Sequence, residues 1–112
     1  MAAEPPPRVL PSERAHDPRF APLLVRYLMS LREQREELRG ALEAGDGDAV
    51  RHIAHKLRGT GGSYGFPAIT AAAGELEEAL RAGGSLAEQQ AGTARLDLLL
   101  AAAIRSGDPS YP

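Results

Sequence analysis

A histidine followed by closely spaced glycines is the part of this chain whose residue types could do chemistry. It lies in a segment where apolar or small residues recur at helical spacing, at Val50, Ile53, Ala54, Leu57, Gly61 and Tyr64. At about 100° per residue, His55 lies roughly 140° from the centre of that face, so its side chain should point into solvent. Neighbouring Lys56 and Arg58 favour the neutral, nucleophilic imidazole and would stabilise an anionic group attached to it. These residues predict a histidine that receives a phosphoryl group and passes it on.

The glycines after this histidine are unusual inside a predicted helix. Gly59 and Gly62 follow His55 by four and seven residues and share its side of the helix. Each glycine costs about 0.8–1 kcal/mol relative to alanine in a helix. We interpret them as a bare docking surface, on which the backbone of a partner protein can approach the imidazole. His52, three residues before His55, is included in this surface. Two histidines without a third ligand make a weak metal site, so no metal is predicted.

Other kinds of chemistry are not indicated. No carboxylate lies close in sequence to His55 to orient its ring, as a hydrolase triad would require. The glycines of residues 59–65 lack the G-x(4)-G-K-[ST] pattern and a preceding strand, so a nucleotide-binding loop is not predicted. A formal charge of −2 argues against binding to nucleic acid. The absence of cysteine fits a cytoplasmic protein, and no apolar run is long enough for a signal peptide or a membrane span.

The elements that position His55 are predicted to be helices. The chain is 43% hydrophobic with few aromatic residues and abundant alanine and leucine, which favours a helical bundle over a sheet sandwich. Residues 1–16 are rich in proline and are predicted to be a flexible tail or linker. Residues 17–106 are predicted to form the bundle, and residues 107–112 a disordered C-terminal tail. Short links between amphipathic helices imply an antiparallel up-down four-helix bundle.

Caps and helix breakers predict the boundaries of these helices. The first segment begins at Asp17-Pro18 and reaches Gly45, and a bend near Met29-Ser30 would divide it into a short additional N-terminal helix and a longer one. The helix that carries His55 is predicted to begin with Asp46 as N-cap and to end near Tyr64, with Gly65 closing it. The third helix is predicted to begin at Pro67 and to end at Gly83-Gly84. Ser85 and Glu88 have the spacing of a capping box that begins the last helix.

The stretch His55-Lys56-Leu57-Arg58-Gly59, followed by Ser63, Gly65 and Ile69, resembles the H-x-L-[KR]-G-x(5)-G-x(3)-[hydrophobic] signature of histidine-containing phosphotransfer (HPt) domains. The resemblance implies a monomeric four-helix bundle with His55 as phosphoacceptor. Arg58 stands where the family usually has the lysine that assists the phosphoryl group, and Gly59 leaves room for the partner. That partner would be a response-regulator receiver domain or a histidine kinase. The receiver would supply the aspartate and Mg²⁺, so the chain would be a carrier and not an enzyme, with no cofactor or nucleotide site of its own.

Two functions remain open at this point. The first is a phosphocarrier of a two-component phosphorelay in the cytoplasm. The second is a helical adaptor that docks a receiver or a kinase without carrying phosphate. Both would use the same exposed surface. The combination of histidine, cation and glycine favours the carrier.

Overall fold

Four α-helices form the regular structure of the computed structural model, which describes residues 6–112. They are α1 (Ala21–Glu43), α2 (Gly47–Gly61), α3 (Pro67–Arg81) and α4 (Gln90–Gly107). Helices α2 and α4 each pack against both α1 and α3. Because short links join successive helices, each helix returns alongside the one before it, as in an up-down bundle. The described residues contain no strand, and none of their helices is long and apolar enough to cross a membrane.

The core consists of the inner faces of all four helices. The apolar face predicted for α2 is buried, and α3 contributes a face of isoleucine, alanine and leucine. Burying a side chain the size of leucine stabilises the fold by about 1.5–3 kcal/mol. The side chains with almost no exposure include Leu31, Leu38, Val50, Leu57, Phe66, Ile69, Leu96, Leu99, Leu100 and Ile104. This packing fixes which side of α2 faces solvent.

Helix α1 is continuous, and this corrects the prediction for the first segment. It runs from Ala21 to Glu43, so the bend near Met29-Ser30 is wrong, and the short additional N-terminal helix is not confirmed. Ser30 lies inside this helix, where its hydroxyl donates to the Tyr27 carbonyl, 2.8 Å away. The helix is packed on both sides of this position, because Tyr27, Leu28 and Leu31 are buried in the core. The regular helix also begins later than the predicted Asp17-Pro18 start.

The cap before α2 forms as predicted. Gly45 takes the left-handed conformation with φ 66°, and the Asp46 carboxylate accepts the Ala49 N–H at 3.0 Å. At its other end, α2 stops at Gly61, and the chain turns through Gly65 with φ 87°. The predicted end near Tyr64 is therefore three residues late.

The predicted capping box before α4 also forms, but ahead of the helix. Ser85 N–H donates to the Glu88 carboxylate at 2.9 Å, and Glu88 N–H donates to the Ser85 hydroxyl at 3.2 Å. These bonds stabilise a turn, and regular helix begins at Gln90.

Both ends of the described chain lie against the bundle. Leu10 N–H donates to the Ala102 carbonyl at 2.9 Å, and the buried Ser12 hydroxyl donates to the Tyr64 carbonyl at 2.6 Å. At the other end, Tyr111 packs against the hydrophobic core. The flexibility predicted for residues 1–16 and the disorder predicted for residues 107–112 stay predictions. Residues 1–5 of the predicted tail lie outside the described residues.

Candidate functional site

His55 lies in the second half of α2 and faces outward. Its side chain is 63% exposed, while its neighbours Ile53, Ala54 and Leu57 are buried in the core. The exposure inferred from helical spacing is therefore found in the structure. Because α2 is capped at Asp46 and packed along its opposite face, the backbone that carries the imidazole is held in place.

Glu77 of α3 holds one nitrogen of the His55 ring. Its Oε2 lies 2.6 Å from Nδ1, and its side chain is only 1% exposed. An ionised carboxylate can only accept a hydrogen bond, so the contact assigns the proton to Nδ1. When the ring is neutral, Nε2 then carries the lone pair. The contact thus fixes the ring and makes Nε2 the nucleophilic atom.

Two arginines complete the hydrogen bonding of this buried carboxylate. Arg58 Nη1 donates to Oε1 at 3.0 Å, and Arg81 Nη2 donates to Oε2 at 3.2 Å. Burial by itself would raise the pKa of Glu77. The hydrogen bonds from Arg58 and His55, together with the charge of Arg81, outweigh burial and hold the pKa below its ordinary value. Glu77 is therefore an anion at neutral pH.

The side chain of Arg58, which is predicted to stabilise phosphate, extends from α2 along the surface of α3. The same Nη1 that donates to Glu77 also donates to Glu78 Oε1 at 3.0 Å. Its stem passes over Gly74, where an added Cβ would lie 3.4 Å from the Arg58 Nε. The hydrogen bonds that Arg58 donates to the two carboxylates raise its pKa. The Arg58 side chain thus joins α2 to α3 beside His55.

Lys56, the other predicted phosphate-stabilising residue, points to the opposite side of α2. Its Nζ lies 3.7 Å from Glu37 Oε2 on α1. Lys56 also borders a groove between α1 and α2. The structure therefore brings His55 and Arg58 together around Glu77, but it does not bring Lys56 into that cluster.

The glycines of the predicted docking surface differ in their surroundings. A Cβ added at Gly59 would meet no atom within 4 Å, whereas one at Gly62 would lie 3.5 Å from Thr70 Oγ1. Gly61 packs more tightly, because a Cβ there would lie 2.8 Å from the same oxygen. Open space thus surrounds Gly59, and Gly61 allows α2 to approach α3. His52 is exposed one turn before His55.

Sequence reasoning missed Glu77 and Arg81. The carboxylate that contacts the His55 ring is not close in sequence, because it lies 22 residues away on the next helix. A signal was present, since Glu77 falls on the apolar face that Ile69 and Ala73 predict for α3. A charged residue on such a face needs partners, because burying an unpaired charge is strongly unfavourable.

The described residues contain no group of three or more histidine, cysteine, aspartate or glutamate side chains that could hold a metal ion.

A family model described as Hpt domain matches residues 22–106. The match therefore includes His55 and both residues that sequence reasoning missed. Comparison with curated proteins gave no match, and neither did comparison with solved structures.

Proposed function

The chain belongs to the Hpt domain family, and we propose that His55 is the phosphoacceptor of a two-component phosphorelay. It would receive a phosphoryl group from a receiver aspartate or a histidine kinase and pass it on. Hpt domains have a phosphotransfer-related role in two-component signalling. The observation that carries the assignment to His55 is its exposed ring, whose Nδ1 lies 2.6 Å from a buried carboxylate.

The proposed transfer from a receiver begins with attack by Nε2 on the phosphorus of an aspartyl phosphate. The Nε2–P bond forms as the P–O bond to the aspartate breaks, and the aspartate leaves as a carboxylate with the bonding electron pair. The proton remains on Nδ1, so the ring gains positive charge. Glu77 accepts the hydrogen bond from Nδ1 and stabilises this charge. The return transfer uses the same contacts and restores a neutral ring.

Arg58 is suited to bind the phosphoryl oxygens without releasing Glu77. Its contacts with Glu77 and Glu78 both use Nη1. A guanidinium has five N–H donors, so those of Nη2 remain for a phosphoryl oxygen. Lys56 would contribute a second cation if its flexible stem turned from Glu37 toward His55, since 3.7 Å is a long ion pair.

The proposed docking surface consists of Gly59, Gly62 and His52 around the imidazole. The open space at Gly59 supports this assignment, because a partner backbone can approach there without displacing a side chain. The partner is a receiver domain or a histidine kinase. In this proposal the receiver holds the aspartate and the Mg²⁺. The chain acts as a monomeric cytoplasmic carrier, without a cofactor or nucleotide site of its own.

Transfer of radiolabelled phosphate from a phosphorylated receiver tests the phosphoacceptor. The wild-type chain should acquire acid-labile label, and His55→Gln should acquire none. His16→Gln is the control, because this exposed histidine lies outside the four helices and outside the proposed docking surface, and it should retain labelling. Equal labelling of His55→Gln and wild type would overturn the assignment.

The same proteins distinguish the carrier from the adaptor. A carrier exchanges phosphate with its receiver through His55, whereas an adaptor needs only to bind. If the receiver bound wild type and His55→Gln with equal affinity and phosphate never appeared on either chain, the adaptor would replace the carrier as the function of this surface.

A further inference from the structure

Arg81 contacts the carboxylate that holds the proposed phosphoacceptor, yet it lies outside the histidine–cation–glycine motif. Its Nη2 lies 3.2 Å from Glu77 Oε2, the same oxygen that lies 2.6 Å from His55 Nδ1. Arg81 follows Glu77 by one turn of α3, so the helix itself sets their pairing. Glu77 Oε2 therefore contacts both the His55 imidazole and the guanidinium of Arg81, which is always positively charged.

This sharing matters because a carboxylate has two effects on an imidazole beside it. It fixes the ring through Nδ1, but it also favours the protonated imidazolium, which has no lone pair on Nε2. Arg58 offsets part of the Glu77 charge, but the Nη1 of this arginine is divided between Glu77 and Glu78. Arg81 supplies a positive charge at the oxygen nearest the ring.

The charged groups around His55 come from three helices. They are Arg51, His52, Lys56 and Arg58 of α2, Glu77, Glu78 and Arg81 of α3, and Glu37 of α1, which pairs with Lys56. Lys56 extends toward α1, and Arg58 binds Oε1. Within the described residues, Arg81 is thus the arginine that donates a hydrogen bond to the Glu77 oxygen facing the imidazole.

We propose that Arg81 is a positioning residue for the phosphoacceptor. By binding Glu77 Oε2, Arg81 holds the carboxylate beside Nδ1 and offsets part of the negative charge that would favour the imidazolium form. The role rests on the proposed function of His55, and it requires no contact between Arg81 and the phosphoryl group. It predicts that loss of Arg81 leaves the ring bound but protonated over a wider pH range.

An NMR titration of the imidazole nitrogens in the full chain tests this role without a partner. Arg81→Gln should move the His55 titration midpoint to higher pH, by a few tenths to about one pH unit for loss of a nearby, partly screened charge. Arg81→Lys should restore most of the wild-type curve. Arg51→Gln is the control, because Arg51 lies one turn before His55 and is not a hydrogen-bond partner of Glu77; its midpoint should move less. Coincident curves for Arg81→Gln and wild type, or an equal shift in Arg51→Gln, would overturn the role.

The pH profile of phosphotransfer from a phosphorylated receiver domain provides the second readout. Arg81→Gln should displace the profile of kcat toward higher pH and leave KM for the receiver unchanged, whereas simple structural damage would lower the rate at every pH. If the wild type accepted no phosphate while the NMR shift appeared, the proposed function would fail and the effect of Arg81 on the ring would stand. If transfer occurred with an identical profile in Arg81→Gln, the positioning role alone would fail.

Discussion

Two glycines of α2 should respond in opposite ways to replacement by alanine. A Cβ at Gly59 would meet no atom within 4 Å, but one at Gly61 would lie 2.8 Å from Thr70 Oγ1 and 3.0 Å from Thr70 N. Thr70 is not free to withdraw, because its hydroxyl accepts the Gly62 N–H at 2.7 Å and donates to the Arg58 carbonyl at 3.1 Å. The added methyl group therefore enters open solvent at one position and a fixed contact at the other.

The two effects differ in sign and in size. Gly59→Ala should raise the free energy of unfolding by about 0.5–1 kcal/mol, because alanine loses less backbone freedom on entering a helix. Gly61→Ala gains the same propensity but overpacks the α2–α3 contact, and its free energy of unfolding should fall by about 1–3 kcal/mol. The two variants should therefore be separated by about 1.5–4 kcal/mol.

Urea denaturation followed by far-UV circular dichroism measures this separation. With a slope of about 1–3 kcal/mol per molar urea, the Gly59→Ala midpoint should rise by roughly half a molar, and that of Gly61→Ala should fall by at least as much. If Gly59→Ala were destabilised, or if Gly61→Ala were as stable as wild type, the assignment of an open and a packed side of α2 would be refuted.

The functional part of this prediction uses Gly59→Glu. The site is open, so the variant should retain wild-type helix content and cooperative unfolding. Its bulk and negative charge should reduce phosphotransfer from a receiver at least several-fold, because the carboxylate lies one turn from His55. Unchanged transfer would show that the bare surface is not where the receiver docks. Gly59→Ala, which adds a single methyl group, is the matched control for volume.

Two further predictions concern buried charges. The pKa of Glu77 in the folded protein is held below its ordinary value of 4.5. Ionised Glu77 therefore stabilises the fold above pH 4.5, and this stabilisation is lost as the pH falls through the pKa of the folded state. The stability difference between wild type and Glu77→Gln in urea should thus be largest near neutral pH and shrink below about pH 4.5; a difference independent of pH would contradict this. Asp97→Asn should lower the free energy of unfolding by about 2–3 kcal/mol in the same assay, because the variant removes the charged partner of Arg35. The Arg35 side chain is only 5% exposed. Glu36→Gln, at a position 72% exposed, should change stability by less than about 0.5 kcal/mol, and equal losses would refute the distinction.

Local sequence signals predicted the outward orientation of His55 and the start of its helix. The spacing of apolar residues in α2 fixed its outward direction, and Gly45 with Asp46 marked the start of that helix. These features depend on neighbours within one or two turns. The bend predicted at Met29-Ser30 is wrong because Tyr27, Leu28 and Leu31 pack into the core on both sides of that position, and the local pattern does not show this tertiary packing.

The cluster around Glu77 could not be predicted in the same way, because it depends on how two helices meet. The His55–Glu77 and Arg58–Glu77 pairs span 22 and 19 residues. Helical periodicity places each residue on a face, but it does not give the rotation or height of α3 against α2. A glutamate on the apolar face of α3 indicated a buried polar contact, yet the sequence left its partner open among several cations.

The same carboxylate links the fold to the proposed chemistry. Glu77 is nearly inaccessible, and its hydrogen bonds to His55 and Arg58 join α2 to α3 at the site. If the phosphoryl group is bound by the Nη2 donors of Arg58, the Nη1 bond to Glu77 can persist and the helix contact is retained. Addition and removal of phosphate then need no change in helix packing. The carrier would present one surface to successive partners, and the direction of transfer would depend on the phosphorylation state of those partners.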